Sequence, residues 1–360
     1  MASSSPKESQ PIASRITDEV EHAIKRYTNG FEYISSSGPS VGKTPKDVLI
    51  SRGTLNLYHY RPMVDEIYRV PLLFVMATTN RGYIVDLCPG QSFVEFLLKA
   101  GYDVFLIDWT APRPEEKNLC LDDYVLDFIP ECIRRVQIET GQEDVSLVGY
   151  CMGGVLSLIY AALNPDHPLK NLICFATPVD WRHMELFQQW SDRRYFDLDR
   201  LVDSLGNIPG EFFYTSFDML RPASRAASQI QLWEKMWDDP YVKSFRMFDK
   251  WSTEVLPLAG EYFRQTTKEL MWDNKLHTGK LVIKGRPADI KNITIPVFHA
   301  VAEHDHIVPY AAAQPLVANV GSVDKEEVML KGGHVSLIAG PNAAKRLWPK
   351  LDSWLQVRSL

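Results

Sequence analysis

The sequence predicts an α/β fold, a mostly parallel sheet covered by helices, on three observations. Short continuous apolar runs alternate with helix-compatible stretches between residues 71 and 176, and runs of that kind belong to strands buried on both faces. The run Val145-Ser146-Leu147-Val148 leads straight into Gly149-Tyr150-Cys151-Met152-Gly153-Gly154 and then into residues 155–163, which reads as strand, sharp turn, helix. A long helical, aromatic-rich stretch then interrupts the alternation, and Ile295-Pro296-Val297-Phe298-His299-Ala300-Val301 restores the strand pattern. Alternation of strands and helices implies layers, and the interruption implies an insertion.

Residues 1–43 are expected to begin disordered and to continue as one amphipathic helix, with Ile16, Val20, Ile24 and Tyr27 at spacings of three and four. The cluster Ser36-Ser37-Gly38-Pro39-Ser40 ends it. Residues 48–50 and the alternating stretch 55–60 read as strands. Residues 71–76 are too uniformly apolar for a sheet edge and are placed in the middle of the sheet. A short helix over 92–100 closes at Gly101, a buried strand comes next over 103–109, and a helix over 121–140 precedes the strand at 144–148. After the turn and its helix, residues 172–176 form another buried strand.

Residues 182–290 form the expected insertion, a helical lid, so that the core comprises 44–181 and 291–360. An insertion at that point lies over the C-terminal ends of the strands, where open α/β sheets bind ligands. Its aromatic residues are core by default, and as core they still make the roof of a site dry. The chain closes with a strand over 327–330, the loop Lys331-Gly332-Gly333-His334 and a helix over 341–355.

Composition narrows the function classes. A chain of 360 residues is long for one simple domain and short for three, which favours one large domain with an insertion. Hydrophobic content of 45% with 23% charged residues is ordinary for a soluble globular protein. A net charge of −6 with no basic stripe excludes a polyanion-binding surface, so no nucleic acid partner is expected. The five cysteines are odd in number and none forms a C-x-x-C pair, which fits a reducing, cytoplasmic setting. The first eleven residues lack an apolar signal region, and no run reaches the roughly 18 apolar residues that a membrane span needs. Asn292-Ile293-Thr294 is then a chance sequon.

The strand-turn-helix stretch is the setting of a nucleophile elbow, in which small neighbours let the chain push one side chain into a site. The exposed atom here is the sulfur of Cys151. A nucleophilic cysteine needs a base, and the base needs a group that orients it. Asp305 comes directly after the strand that ends at Val301, and His334 after the last strand. The order Cys, Asp, His is that of α/β hydrolases, and the fold expected is an α/β-hydrolase fold with an inserted lid. The oxyanion hole is expected from the backbone N–H of Met152 and one from Thr79 or Asn80, in the loop after the first central strand.

Blander readings apply to each piece taken singly. A Gly-x-Cys-x-Gly turn also suits a small structural residue. His304 and His306 flank Asp305 and suggest a metal, but further ligands at sensible spacing are missing; no metal is expected, and His306 is a loop residue near the acid. The other four cysteines lie in apolar or helical contexts and read as packing. Sulfur in place of oxygen suggests the reaction. Attack on a thioester by a thiolate exchanges one thioester for another and leaves the acyl group activated for a second hydroxyl, provided that water is excluded.

Taken together, Asn80-Arg81-Gly82-Tyr83-Ile84-Val85-Asp86-Leu87, Val104-Phe105-Leu106-Ile107-Asp108-Trp109, Leu121-Asp122-Asp123-Tyr124, Gly149-Tyr150-Cys151-Met152-Gly153-Gly154, Arg194-Tyr195-Phe196, Gly206-Asn207-Ile208-Pro209, Asp305-His306 and Gly333-His334-Val335-Ser336 resemble the small catalytic subunit of the two-component polyhydroxyalkanoate synthases, class III and class IV. The resemblance runs from Thr44 to the end, lid included. It implies an acyltransferase that polymerises an (R)-3-hydroxyacyl-CoA, with 3-hydroxybutyryl-CoA the expected substrate, and releases coenzyme A without another cofactor. Carried onto this chain, it makes Cys151 the acylated nucleophile, His334 its base, and Asp305 either the group orienting His334 or a base acting on the 3-hydroxyl. It also implies a non-catalytic second subunit of the PhaE or PhaR type, a homodimer of the catalytic subunit, and residence on the surface of cytoplasmic polyester granules. The N-terminal helix is then a candidate contact for the partner or the granule.

Two rivals stand beside this reading. A cysteine hydrolase of the dienelactone hydrolase kind has a similar nucleophile turn but lacks so long an insertion. A catalytically idle α/β-hydrolase fold serving as a binding protein would have no need of all three of Cys151, Asp305 and His334.

Overall fold

A computed structural model describes residues 12–166 and 168–360; the expected disorder over residues 1–11 lies outside the described residues. The strands are β1 (Lys46–Arg52), β2 (Leu55–Tyr60), β3 (Leu72–Val75), β4 (Val104–Trp109), β5 (Val145–Tyr150), β6 (Leu169–Phe175), β7 (Val282–Ile283), β8 (Arg286–Pro287), β9 (Val297–Ala302) and β10 (Lys325–Leu330). Eight of them form one sheet in the order β1-β2-β4-β3-β5-β6-β9-β10. Within this sheet only the pairings of β2, with β1 and with β4, are antiparallel; β4, β3, β5, β6, β9 and β10 run parallel. Residues 71–76 do lie in the middle, with β3 between β4 and β5 and every residue of β3, β4, β5 and β9 buried. The edge strand β1 is mostly exposed, consistent with its charged ends.

Local chemistry explains the helices and their irregularities. Ser92 caps the helix Phe93–Lys99 by accepting a hydrogen bond from the Glu95 N–H at 2.9 Å. The expected helix over 121–140 is broken into Leu121–Asp123, a π-helical turn Tyr124–Phe128, and Ile129–Thr140. Pro130 lacks an N–H and its ring crowds the preceding turn, so the backbone widens just before it. The closing helix repeats this, with a π turn at Ala343–Leu347 ahead of Pro349 in Trp348–Gln356. Strands β7 and β8 fall within the stretch expected to be helical. They join through Lys284 and Gly285, both at positive φ (44° and 78°), the conformation of a tight hairpin turn.

The chain divides into two compact units, 1–40 with 221–250, and 41–220 with 251–360. In the first, the helix Ile12–Ser35 accompanies the helix Pro222–Glu234. Leu232, Met236 and Val242 form a small core against Tyr33, Tyr241 and Phe245. His22 stacks on Trp237 with ring centroids 3.8 Å apart, and Asn29 donates to the Met236 carbonyl at 2.7 Å. The stripe Ile16, Val20, Ile24 and Tyr27 stays more than half exposed. The second unit holds the whole sheet and the site.

Candidate active site

Cys151 occupies the turn between β5 and the helix Met152–Leu163 with φ 53° and ψ −118°, a sparsely populated positive-φ conformation that costs a non-glycine residue about 1–3 kcal/mol. It is held there by its N–H, which donates to the Phe175 carbonyl at 2.9 Å, and by its carbonyl, which accepts from the Val155 N–H at 3.2 Å. The glycines around it are required by close approach. A Cβ on Gly153 would sit 1.9 Å from the Val75 carbonyl oxygen, one on Gly154 1.9 Å from the Thr177 hydroxyl, and one on Gly149 2.4 Å from Gly154. Absence of side chains therefore lets the elbow pack against β3 and the end of β6, and the strained φ projects the sulfur out of the turn.

The acid and the base arrive on neighbouring loops. Strands β9 and β10 pair in register through Ala302 and Leu330, and the pairing continues past the sheet: Glu303 N–H donates to Leu330 O at 3.0 Å and His304 N–H to Gly332 O at 2.9 Å. That places Asp305 beside His334. Asp305 Oδ1 accepts from the N–H groups of Ile307 and Val308 at 2.9 and 2.8 Å, which fixes the carboxylate, and Oδ2 meets His334 Nδ1 at 2.6 Å. Both residues are buried. The Tyr150 ring lies against the imidazole, centroids 5.0 Å apart, and Asp305 occupies Nδ1, which leaves the other histidine nitrogen for the Cys151 sulfur, close enough to act on the charge of the ring. Burial by itself pulls the imidazole toward the neutral form; the Asp305 carboxylate and then the Cys151 sulfur outweigh it, and the His334 pKa is pushed up to about 10.

Cys151 opens into a cavity of about 170 Å³. Met152 and Thr79 line it; Asn80 instead pairs by an isolated β-bridge with Val255. As the first residue of a helix, Met152 has an N–H with no intrahelical acceptor. Phe187, Phe212, Phe213 and Phe263, all from the stretch after Arg182, form much of the wall. Not all the aromatic residues of that stretch do so: Tyr195 is exposed, and Trp251 donates from Nε1 to the Arg81 carbonyl at 2.8 Å. His304 and His306 are exposed, and among the described residues no three His, Cys, Asp or Glu side chains are grouped to hold a metal ion. No helix among the described residues is long and apolar enough to cross a membrane.

Two contributors were not legible in the sequence. Trp181 lines the cavity from the loop after β6, held by its backbone N–H on Asn274 Oδ1 at 3.0 Å; its position at the C-terminal end of a sheet strand was the available signal. Tyr262 was one aromatic residue among many, and only the fold brings it to Cys151.

Comparison with known proteins agrees with the fold. Residues 74–341 match the family model of the alpha/beta hydrolase fold, and residues 23–97 match that of the poly-beta-hydroxybutyrate polymerase (PhaC) N-terminus. The latter match begins well before Thr44, inside the N-terminal helix. The chain is 36% identical to the poly(3-hydroxyalkanoate) polymerase subunit PhaC of Thiocystis violacea, covering 97% of this chain and 100% of that one. It is 35% identical to the same subunit of Allochromatium vinosum, over 96% and 98%. The Haloferax mediterranei subunit is 34% identical over 89% of this chain, which spans 65% of that longer protein. Among solved structures, Est1E from Butyrivibrio proteoclasticus superposes with a TM-score of 0.51 at 14% identity, covering 89% of this chain and 99% of that one. Mouse alpha/beta hydrolase domain-containing protein 10 superposes with 0.50 at 13%, over 87% and 99%. Those two likenesses speak for the fold alone. With the elbow, the fold and these full-length relatives, the chain belongs to the poly(3-hydroxyalkanoate) polymerases, acyltransferases of the α/β-hydrolase fold, as a catalytic subunit of the PhaC type.

Proposed function

We propose that the chain polymerises (R)-3-hydroxyacyl-CoA, 3-hydroxybutyryl-CoA foremost, through an acyl thioester on Cys151. His334 takes the thiol proton. The thiolate bonds to the thioester carbon of the substrate, the carbon–sulfur bond to coenzyme A breaks, and His334 returns the proton to the departing thiolate. In the second half the 3-hydroxyl oxygen of another unit bonds to the acyl carbon, its proton passes to His334, and the bond to Cys151 breaks. Asp305 holds the imidazole with its free nitrogen toward the sulfur; the 2.6 Å contact between Nδ1 and Oδ2 favours this orienting role over direct action on the hydroxyl. Negative charge on the acyl oxygen would be met by the N–H of Met152 and one from Thr79 or Asn80. The chemistry needs no cofactor beyond the coenzyme A that the substrate carries.

The observation that carries the reading is a cysteine at the strained elbow, within electrostatic reach of a histidine that a buried aspartate holds, at the mouth of an apolar cavity. Such a wall excludes water from the acyl-enzyme. The same reading extends to the segment 182–290 as a lid over the core 44–181 and 291–360, and to class III or class IV organisation with a PhaE or PhaR type partner. The exposed stripe of the helix Ile12–Ser35 is offered as the partner's contact, with a homodimer of this chain as the working unit at the surface of cytoplasmic polyester granules. The test is incubation with (R)-3-hydroxybutyryl-CoA, with and without either partner, following coenzyme A release and polymer. Free 3-hydroxybutyrate with no polymer would make this a hydrolase and end the reading.

A further inference from the structure

The cavity wall carries a polar pair that the proposed reaction leaves unused. Thr78, from the loop after β3, is hydrogen-bonded to the phenol oxygen of Tyr262 at 3.3 Å, and both are buried in the wall beside Cys151. Three other hydroxyls nearby are engaged within their own helices: Ser191 donates to Phe187 O at 2.7 Å, Ser216 to Phe212 O at 2.8 Å and Thr266 to Tyr262 O at 2.8 Å. Either hydroxyl can donate in that contact, so the pair shares one hydrogen bond and has a second O–H to offer a ligand. An O–H left without an acceptor inside an apolar wall is costly unless a ligand supplies one.

The Tyr262 ring is fixed. It tilts against Tyr124 with centroids 4.4 Å apart, on the short helix Gly260–Thr266, whose Gly260 packs so closely that a Cβ there would meet Gly206 O at 1.9 Å. The phenol is also within electrostatic reach of the Cys151 sulfur. Burial raises its pKa, the Thr78 hydroxyl offsets part of that, and negative charge on Cys151 adds to it, so the proton stays on the oxygen.

We propose that Tyr262, oriented by Thr78, donates a hydrogen bond to the 3-hydroxyl of the acyl group being loaded on Cys151, and so selects 3-hydroxyacyl thioesters over plain acyl thioesters. The inference rests on the acyl-transfer reading. A hydroxyl two carbons beyond the thioester carbon is the only polar group on such an acyl chain, and the phenol offers it a neutral donor near the sulfur that will carry the chain. The indole N–H of Trp181 is a second unpaired donor in the wall, and it serves as the internal control. Tyr262 is thereby a specificity-determining residue and Thr78 a positioning residue.

The test compares single-turnover loading of Cys151 from (R)-3-hydroxybutyryl-CoA and from butyryl-CoA, in the wild type, Tyr262→Phe, Thr78→Val, Thr78→Ser and Trp181→Phe. Loss of one neutral hydrogen bond is expected to lower the preference for the hydroxyacyl over the butyryl group in loading about tenfold in Tyr262→Phe. Thr78→Val should show a smaller loss of the same preference, and Thr78→Ser should restore it. Equal slowing with both thioesters would mean that Tyr262 only packs or serves the oxyanion, and would overturn the assignment. So would a preference that survives Tyr262→Phe, whether or not Trp181→Phe abolishes it. A wild type that loads neither thioester on Cys151 would instead overturn the acyl-transfer reading itself, and this inference with it.

Discussion

Replacing Asp305 with Asn keeps the shape of the side chain and removes its charge, and the surrounding donors dictate how the amide must orient. The N–H groups of Ile307 and Val308, at 2.9 and 2.8 Å from Oδ1, oblige the Asn carbonyl oxygen to take that place. The amide nitrogen then faces His334 Nδ1, where Oδ2 stood at 2.6 Å. Two donors cannot pair, so the imidazole places its proton on the other nitrogen, toward Cys151, and can no longer accept one from the thiol. Loss of a charge-assisted hydrogen bond costs about 1.5–3 kcal/mol, roughly 10- to 150-fold in rate. A wrong tautomer in the analogous serine triad costs about 10⁴-fold. We expect polymerisation by Asp305→Asn to fall by a factor between roughly 10² and 10⁴. Burial still pulls the imidazole down while its leading upward cause is gone, so the His334 pKa drops from about 10 into the ordinary histidine range or below. Initial rates of coenzyme A release measure the first effect, and nitrogen NMR of the imidazole across pH measures the second. A variant that polymerises within threefold of wild type with an unmoved imidazole titration would refute the orienting role.

Three further outcomes are expected. The folded-state pKa of His334 lies above the usual 6.5, so its contribution to stability is fully present below about pH 6.5 and is lost as pH rises through about 10; melting temperature should therefore fall more steeply between pH 7 and 10 in the wild type than in Asp305→Asn. Gly153→Ala drives a Cβ to 1.9 Å from a backbone oxygen of β3 and should cost about 3 kcal/mol or more by urea unfolding, the upper end of overpacking at about 1–3 kcal/mol, whereas Gly38→Ala, with nothing within 4 Å, should stay within about 0.5 kcal/mol. Asn274→Ala removes the acceptor of the Trp181 N–H at 3.0 Å and one of the donors to Asp180, at 2.9 Å, from a residue at φ 50°, while Arg182 still pairs with Asp180; the orphaned buried N–H and the left-handed backbone together should cost roughly 2–4 kcal/mol by the same measurement.

The sheet was legible because burial on both faces leaves a signature that needs no context: 71–76 and 104–107 are apolar whichever side they present, and so is 295–301 but for His299. The elbow was legible for a related reason, since Gly149, Gly153 and Gly154 stand where any side chain would strike β3, β6 or the helix itself. Asp305 and His334 could be placed after particular strands, but their contact depends on the register of β9 and β10 and on the two loop hydrogen bonds that extend it, which no local pattern encodes. The π turns escaped because a proline in an otherwise periodic stretch announces a disturbance without saying which. The hairpin at Lys284-Gly285 joins strands of two residues each, too short for periodicity. Association of residues 221–250 with the N-terminal helix is a long-range choice among aromatic helices of similar composition. Tyr262 illustrates the same limit: its phenol matters through Thr78, 184 positions away.

The most direct test of the central claim is to trap the acyl-enzyme. The wild type, given (R)-3-hydroxybutyryl-CoA and quenched in acid after one turnover, should yield a peptide containing Cys151 that carries a 3-hydroxybutyryl mass, lost on treatment with hydroxylamine. Cys151→Ala should carry none and make no polymer. Polymer formed by Cys151→Ala at the wild-type rate, or the acyl mass found on another residue, would contradict the account.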